Sequence, residues 1–194
     1  MSDALSALKQ FVYATYALPE ADWEALAVIW KPFKAKRKEI ITAADTVEKY
    51  LYFVTEGVQR VYYGDDQGRE ATLVFTYAPS YGGVIDSMLL QQPSRYCYET
   101  LTPSVFLRAA YADLHELMSA RPDIEKMVRQ GLSYTLAGVL ERLVELQCYS
   151  SEDKFRKLLQ RSPHVLQLVP HKYLANYLGI EATNFSKFIN KVKI

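Results

Sequence analysis

Residues 170–194, PHKYLANYLGIEATNFSKFINKVKI, decide how the whole chain is read. An apolar helical pattern, Tyr173, Leu174, Tyr177 and Leu178, runs into Gly179. After Ile180 and Glu181 a second pattern starts, with Phe185, Phe188 and Ile189 on one face. Two short helices joined by a tight turn with glycine at the bend form a helix-turn-helix. Such a unit can seat its second helix in the major groove of DNA. The spacing predicts that helix over about 182–191, with Thr183, Asn184, Ser186, Lys187, Asn190 and Lys191 as its polar residues. An Asn amide can pair with adenine, and a Lys can donate to guanine acceptors. His171 and Lys172 fall at the start of the first helix, where phosphates are met. The competing reading of the same residues is a protein-contact module.

Charge is distributed unevenly along the chain. Residues 1–149 hold 15 Lys/Arg against 19 Asp/Glu, a balance of −4, whereas residues 150–194 hold eight against three, a balance of +5. A basic end on a mildly acidic body suits a polyanion-binding module attached to a separate domain. With 194 residues there is enough chain for one or two domains. No apolar run is long enough to cross a bilayer. The opening MSDALSALKQ lacks the basic stretch and apolar core of a secretory signal. Cys97 and Cys148 lie in different segments and form no metal-type pair. A cytoplasmic location is expected, with no membrane association and no metal. No carboxylate pair, nucleophile motif or GxxxxGK phosphate loop marks a catalytic residue, so no enzyme is expected.

Upstream, residues 2–30 read as helical, broken near Pro19. Short β-rich runs follow at 39–42, 50–54, 58–63, 71–77, 96–101 and 105–109, separated by Gly-, Asp- and Pro-containing turns. Many short strands at this spacing predict an antiparallel sandwich or barrel. Residues 112–120 read as a short helix, and 123–149 as one long helix. Its apolar stripe is wider than one partner needs. Part can cover the sheets and part can face an identical helix of a second chain; the simpler alternative is a monomer whose helix lies wholly on its own sheet. Gly131 and Gly138 inside this helix hint at close backbone approach. The predicted organisation is a β domain over 1–122, a dimerisation helix over 123–149, and a helix-turn-helix domain over 150–194.

This order resembles the Crp/Fnr superfamily of bacterial transcription regulators, and in detail its Bacteroidetes-type members. In the β domain the resemblance rests on residues 52–63, YFVTEGVQRVYY, followed by Asp66-Gln67-Gly68-Arg69-Glu70. In the C-terminal part it rests on FRKLL at 155–159, Val169-Pro170 and YLANYLGI at 173–180. It implies an α+β fold: an N-terminal antiparallel β-roll of jelly-roll type flanked by helices, a long dimerisation helix and a C-terminal winged helix-turn-helix. It implies double-stranded DNA, a second copy of the chain and RNA polymerase as partners.

In cyclic-AMP-binding members a Gly-Glu opens the phosphate cassette and an Arg-Ser follows about ten residues later. Here Gly82 and Gly83 keep the glycines, but the Glu position falls on Val84 and the Arg position on Ser94. Asp86 could replace the carboxylate, and Arg95 is one place out of register, which on a strand turns it to the other face. Cyclic AMP is therefore not expected to bind in the usual way. No cofactor is predicted. An unidentified small-molecule effector stays open, as does a roll that serves only as a dimer scaffold. Residues 1–96 contain no cysteine, against an iron–sulfur role. In the family an Arg near Lys187 reads guanine; a lysine keeps the charge without the bidentate fork. A β-hairpin wing, present after this point in many relatives, has no counterpart before Ile194, so fewer backbone contacts are expected. A sensory or protein-interaction adaptor with a degenerate DNA-binding end is the alternative function.

Overall fold

The computed structural model describes residues 2–191; the question of a wing at 192–194 lies outside them. Two helices open the chain, α1 (Ser2–Tyr13) and α2 (Glu20–Val28). Eight strands follow with one short helix among them: β1 (Lys31–Ala35), β2 (Ile40–Thr42), β3 (Tyr50–Glu56), β4 (Val58–Gly64), β5 (Glu70–Tyr77), β6 (Ser80–Gly82), α3 (Ile85–Leu90), β7 (Cys97–Thr100) and β8 (Ser104–Ala110). Then come α4 (Tyr111–Ala120), the long α5 (Pro122–Cys148), α6 (Ser151–Arg161), α7 (Val165–Leu168), α8 (His171–Leu178) and α9 (Ala182–Lys191).

The strands form two four-stranded antiparallel sheets, ordered β1-β8-β3-β6 and β2-β7-β4-β5. Gly57 turns β3 into β4, crossing from one sheet to the other, at φ +87°. A Cβ there would lie 2.5 Å from the Pro103 carbonyl and from Ser104 Oγ. Only glycine lets the two loops approach so closely. Between the sheets, Tyr52, Tyr98 and Phe106 pack ring against ring at 5.6 to 5.7 Å. Gln59, Thr76 and the Tyr98 hydroxyl form a fully buried hydrogen-bonded group beside them. On the outer face of the first sheet, Leu8 and Val12 of α1, Trp23 and Leu26 of α2, Leu114 of α4 and Ile124 of α5 bury against Phe53 and Leu107. The helices flanking the roll are thus held by apolar burial, each large side chain contributing about 1.5–3 kcal/mol.

Beyond Ile124, α5 leaves the roll, and its C-terminal end is anchored by an ionic group. Glu145, 1% exposed, accepts Arg161 Nη2 at 2.6 and 2.7 Å and Arg142 Nη1 at 3.2 Å. Arg142 also donates to the Tyr177 carbonyl, so α5, α6 and α8 meet at one carboxylate. Removing one partner of a buried pair leaves the rest uncompensated. Glu145→Ala should therefore lower stability by about 3 kcal/mol, read as a drop in the urea midpoint.

Candidate nucleic-acid interface and roll cassette

Pro170 fixes the entry to α8 with φ −54°, and Gly179 ends it in the left-handed region at φ +62°. The Gly179 and Ile180 N–H groups donate back to Asn176 and Ala175 carbonyls at 3.0 Å. These bonds close the helix and turn the chain into α9. Phe185 of α9 is buried, its ring 5.3 Å from Phe155 and 5.7 Å from His171. Phe188 lies 5.7 Å from Phe155 and is half-buried with Ile189. The remaining face is polar: Thr183, Asn184, Ser186, Lys187, Asn190 and Lys191 are all exposed. Ser186 donates its hydroxyl to the Ala182 carbonyl at 3.0 Å, so that proton is already engaged. His171 and Lys172 are exposed at the start of α8, with Lys172 Nζ 4.7 Å from the Tyr173 ring centre.

The inner face of α8 docks on the roll, an arrangement that helix periodicity does not predict. Tyr173, Asn176 and Tyr177, at i, i+3 and i+4, share that face. Asn176 Oδ1 accepts the Thr72 N–H at 2.5 Å, and its Nδ2 donates to the Glu70 carbonyl at 2.7 Å. One amide thereby pairs with the free edge of β5. Tyr173 receives Lys38 Nζ at 2.7 Å, and Arg60 lies 4.0 Å from the ring centres of both Tyr173 and Tyr62. Burial works against the Arg60 charge, but hydrogen bonds to Glu99 at 2.8 Å and Glu70 at 2.9 Å outweigh it and hold its pKa above the ordinary value. Burial pushes the Tyr173 phenol up, while the Lys38 hydrogen bond and the Lys38 and Arg60 charges overcome it and leave it lowered. Phe75 meets Tyr177 at 5.1 Å. The signal available in sequence was the polar Asn176 on an otherwise aromatic helix face.

Between the roll and this docked unit, α5 carries an uncovered apolar seam. Leu132, Leu136, Val139, Leu143 and Leu146 alternate four and three residues apart and are 37–59% exposed. Leu140 and Val144 flank them and are exposed as well. The helix therefore does not lie wholly on its own sheets. Gly131 and Gly138 have nothing of their own chain within 4 Å of an added Cβ, so no close approach within the chain explains them.

In the roll, Gly82, Gly83 and Val84 are buried where β6 leads into α3. Tyr98 occupies the space beside Gly82, where an added Cβ would overlap its hydroxyl. Ser94 is buried and its hydroxyl stays local, donating to the Tyr96 carbonyl at 2.7 Å and accepting the Tyr96 N–H at 2.8 Å. Arg95 is exposed and the structure does not bring it to the buried cassette. Asp86 is not buried either, so it does not supply the missing buried carboxylate. Among the described residues no group of three His, Cys, Asp or Glu could hold a metal ion, and no helix is long and apolar enough to cross a membrane.

Residues 32–121 match the family model of the cyclic nucleotide-binding domain. No curated protein sequence matches the chain. Solved structures of regulators share its fold. FixK2 from Bradyrhizobium japonicum superposes with a TM-score of 0.73 at 15% identity, covering 84% of each chain. The c-di-GMP-responsive global regulator CLP of Xanthomonas campestris gives 0.68 at 15% identity, covering 89% of this chain and 91% of that one. The catabolite activator protein of Thermus thermophilus gives 0.58 at 16% identity, covering 93% and 85%. The same antiparallel roll with flanking helices and a long helix is found in a structure described as a transcriptional regulator of the Crp/Fnr family from Eubacterium rectale, with a TM-score of 0.70 at 16% identity, covering 90% of this chain and 83% of that one.

Proposed function

We propose that the chain is a homodimeric DNA-binding transcriptional regulator of the Crp/Fnr type. The observation that carries this reading is the division of α9. Its apolar residues close the core with Phe155, while six polar residues, Asn184 and Lys187 among them, stand on the outer face. Helices divided in this way at the end of a helix-turn-helix read base edges. His171 and Lys172 would hold phosphates and fix the register. A second copy would cover the α5 seam, because the heptad spacing is self-complementary and a two-fold pair buries both seams at once. RNA polymerase enters as a partner on the Crp/Fnr resemblance alone, and the cytoplasm is the compartment such a role requires.

The roll would act as sensor or scaffold without taking cyclic AMP in the usual way. Val84 and Ser94 stand where a carboxylate and a guanidinium would be needed, and neutral side chains do not replace charge-assisted contacts. The fold does not fix the effector, since one neighbour is described as c-di-GMP responsive and another as a catabolite activator. Cyclic AMP and cyclic GMP should give no saturable rise in melting temperature.

Gel shifts against sequences selected from a random pool, run at several salt concentrations, test DNA binding. Affinity should fall steeply and log-linearly with salt as phosphate contacts release counterions. A folded dimer with no salt-dependent binding would sink the reading and favour the adaptor.

A further inference from the structure

One buried group beside the cassette belongs neither to the helix-turn-helix nor to the α5 seam. Glu48 lies just before β3 and is 2% exposed. No Lys, Arg or His lies within ion-pair distance of it among the described residues. Backbone and hydroxyl donors converge on its carboxyl instead. The Tyr50 N–H donates to Oε1 at 3.0 Å, and the Thr42 hydroxyl donates to Oε2. The Val84 N–H reaches Oε2 at 3.5 Å. The Glu48 N–H donates to Ser87 Oγ at 3.0 Å, which ties α3 to the same residue. Gly83 brings the turn against this carboxyl at φ +108°; a Cβ there would lie 3.5 Å from Oε2 and 3.2 Å from the Tyr52 ring.

The acid at this position is held by hydrogen bonds and by no cation. Burial without a cation penalises the charged form, and desolvation holds the Glu48 pKa above its ordinary value. An apolar side chain of similar volume would avoid that penalty but leave the Tyr50 and Val84 N–H groups and the Thr42 hydroxyl without this acceptor. What the surroundings do provide is a concave set of backbone and hydroxyl donors, the arrangement that receives anions and acids.

We propose that Thr42 and the Tyr50 and Val84 amides form a receptor site for a small carboxylic acid or its anion. Glu48 is the site's built-in occupant, and the roll is liganded from within. Calling the roll a sensor rests on the regulator reading; the receptor site itself does not.

The test uses the full chain with Glu48→Ala, probed with sodium formate and sodium acetate against sodium chloride at equal ionic strength. The variant should melt well below the wild type. Formate or acetate should restore most of the loss saturably and leave the wild type unmoved. Equal effects of acetate and chloride on the folded variant would overturn the proposal.

Should Glu48→Ala not fold in chloride, it is refolded in formate or acetate: recovery of folded protein in either acid and not in chloride supports the site, and no recovery in any of them overturns it. Failure of the wild type to bind DNA would leave both results standing, so the two readings fail separately.

Discussion

Leu136→Glu should split the dimer and remove tight DNA binding while leaving the fold intact. Leu136 sits near the middle of the seam and is 59% exposed, so its own chain does not depend on it for packing. A change at such a surface position shifts stability by no more than about 0.5 kcal/mol. In a two-fold pair the same residue faces its copy, and two carboxylates would meet in an apolar core. Buried unpaired charge of that kind outweighs what a seam of five leucine and valine side chains gains. Light scattering should then report 22.2 kDa for the variant and twice that for the wild type. A single copy would reach only one half-site and lose the effective concentration of the second, about 10²–10⁴-fold in affinity. Gly131 and Gly138 each precede a seam residue, about 100° round the helix from it, so neither their own chain nor the facing helix explains them. A wild type that is monomeric at micromolar concentration, or a variant that stays dimeric, would remove the second copy from the proposal.

The parts of the fold that were legible are those with local signals. Gly57 and Gly68 mark the β3–β4 and β4–β5 turns, and both take positive φ. Ser150 announces α6, and its hydroxyl accepts the Asp153 N–H at 3.2 Å as an N-cap. What escaped has no such signal. Strand β1, KPFKA, is short and charged because it forms the outer edge of its sheet beside β8, and lysine on an edge discourages pairing with other chains. Strand β6 and helix α3 are three and six residues long, too short for periodicity to register. The docking of α8 depends on Asn176 meeting Thr72, 104 residues earlier in the chain. Helix periodicity shows that Tyr173, Asn176 and Tyr177 share a face, but not what that face meets. Glu48 and Glu145 look like surface carboxylates in sequence, because composition carries no information about which strands and helices close over them. At the candidate sites the same rule holds. The division of α9 follows from 3.6-residue spacing, whereas the burial of Glu48 against Thr42, Tyr50, Val84 and Ser87 required the meeting of β2, β3 and α3.

Asn184→Ala should separate recognition from simple attraction to DNA. Asn184 is exposed near the start of α9, where side chains of a recognition helix reach base edges. Loss of a bidentate amide contact costs about 1–3 kcal/mol per half-site. Because a dimer presents two copies, the effect doubles, giving a loss of at least about 30-fold and as much as about 10⁴-fold on the selected sequence. Weak binding to random DNA should persist, since residues 150–194 keep their balance of +5 and that term reads only phosphates. Lys187→Ala has a different signature. It removes a guanine donor that is also a cation from each copy, so it should relax the preference at one base pair per half-site and in addition weaken the salt-sensitive attraction to random DNA. Both variants leave the packed face of α9 untouched, so their melting temperatures should match the wild type. Phe185→Ala is the contrasting control: its ring is 1% exposed, and its removal should unfold the C-terminal unit at a loss of about 3–5 kcal/mol. Should Asn184→Ala and Lys187→Ala both bind the selected sequence like the wild type at every salt concentration, α9 is not the reading surface. Its exposed polar face would then belong to a contact with protein, and the chain would be an adaptor.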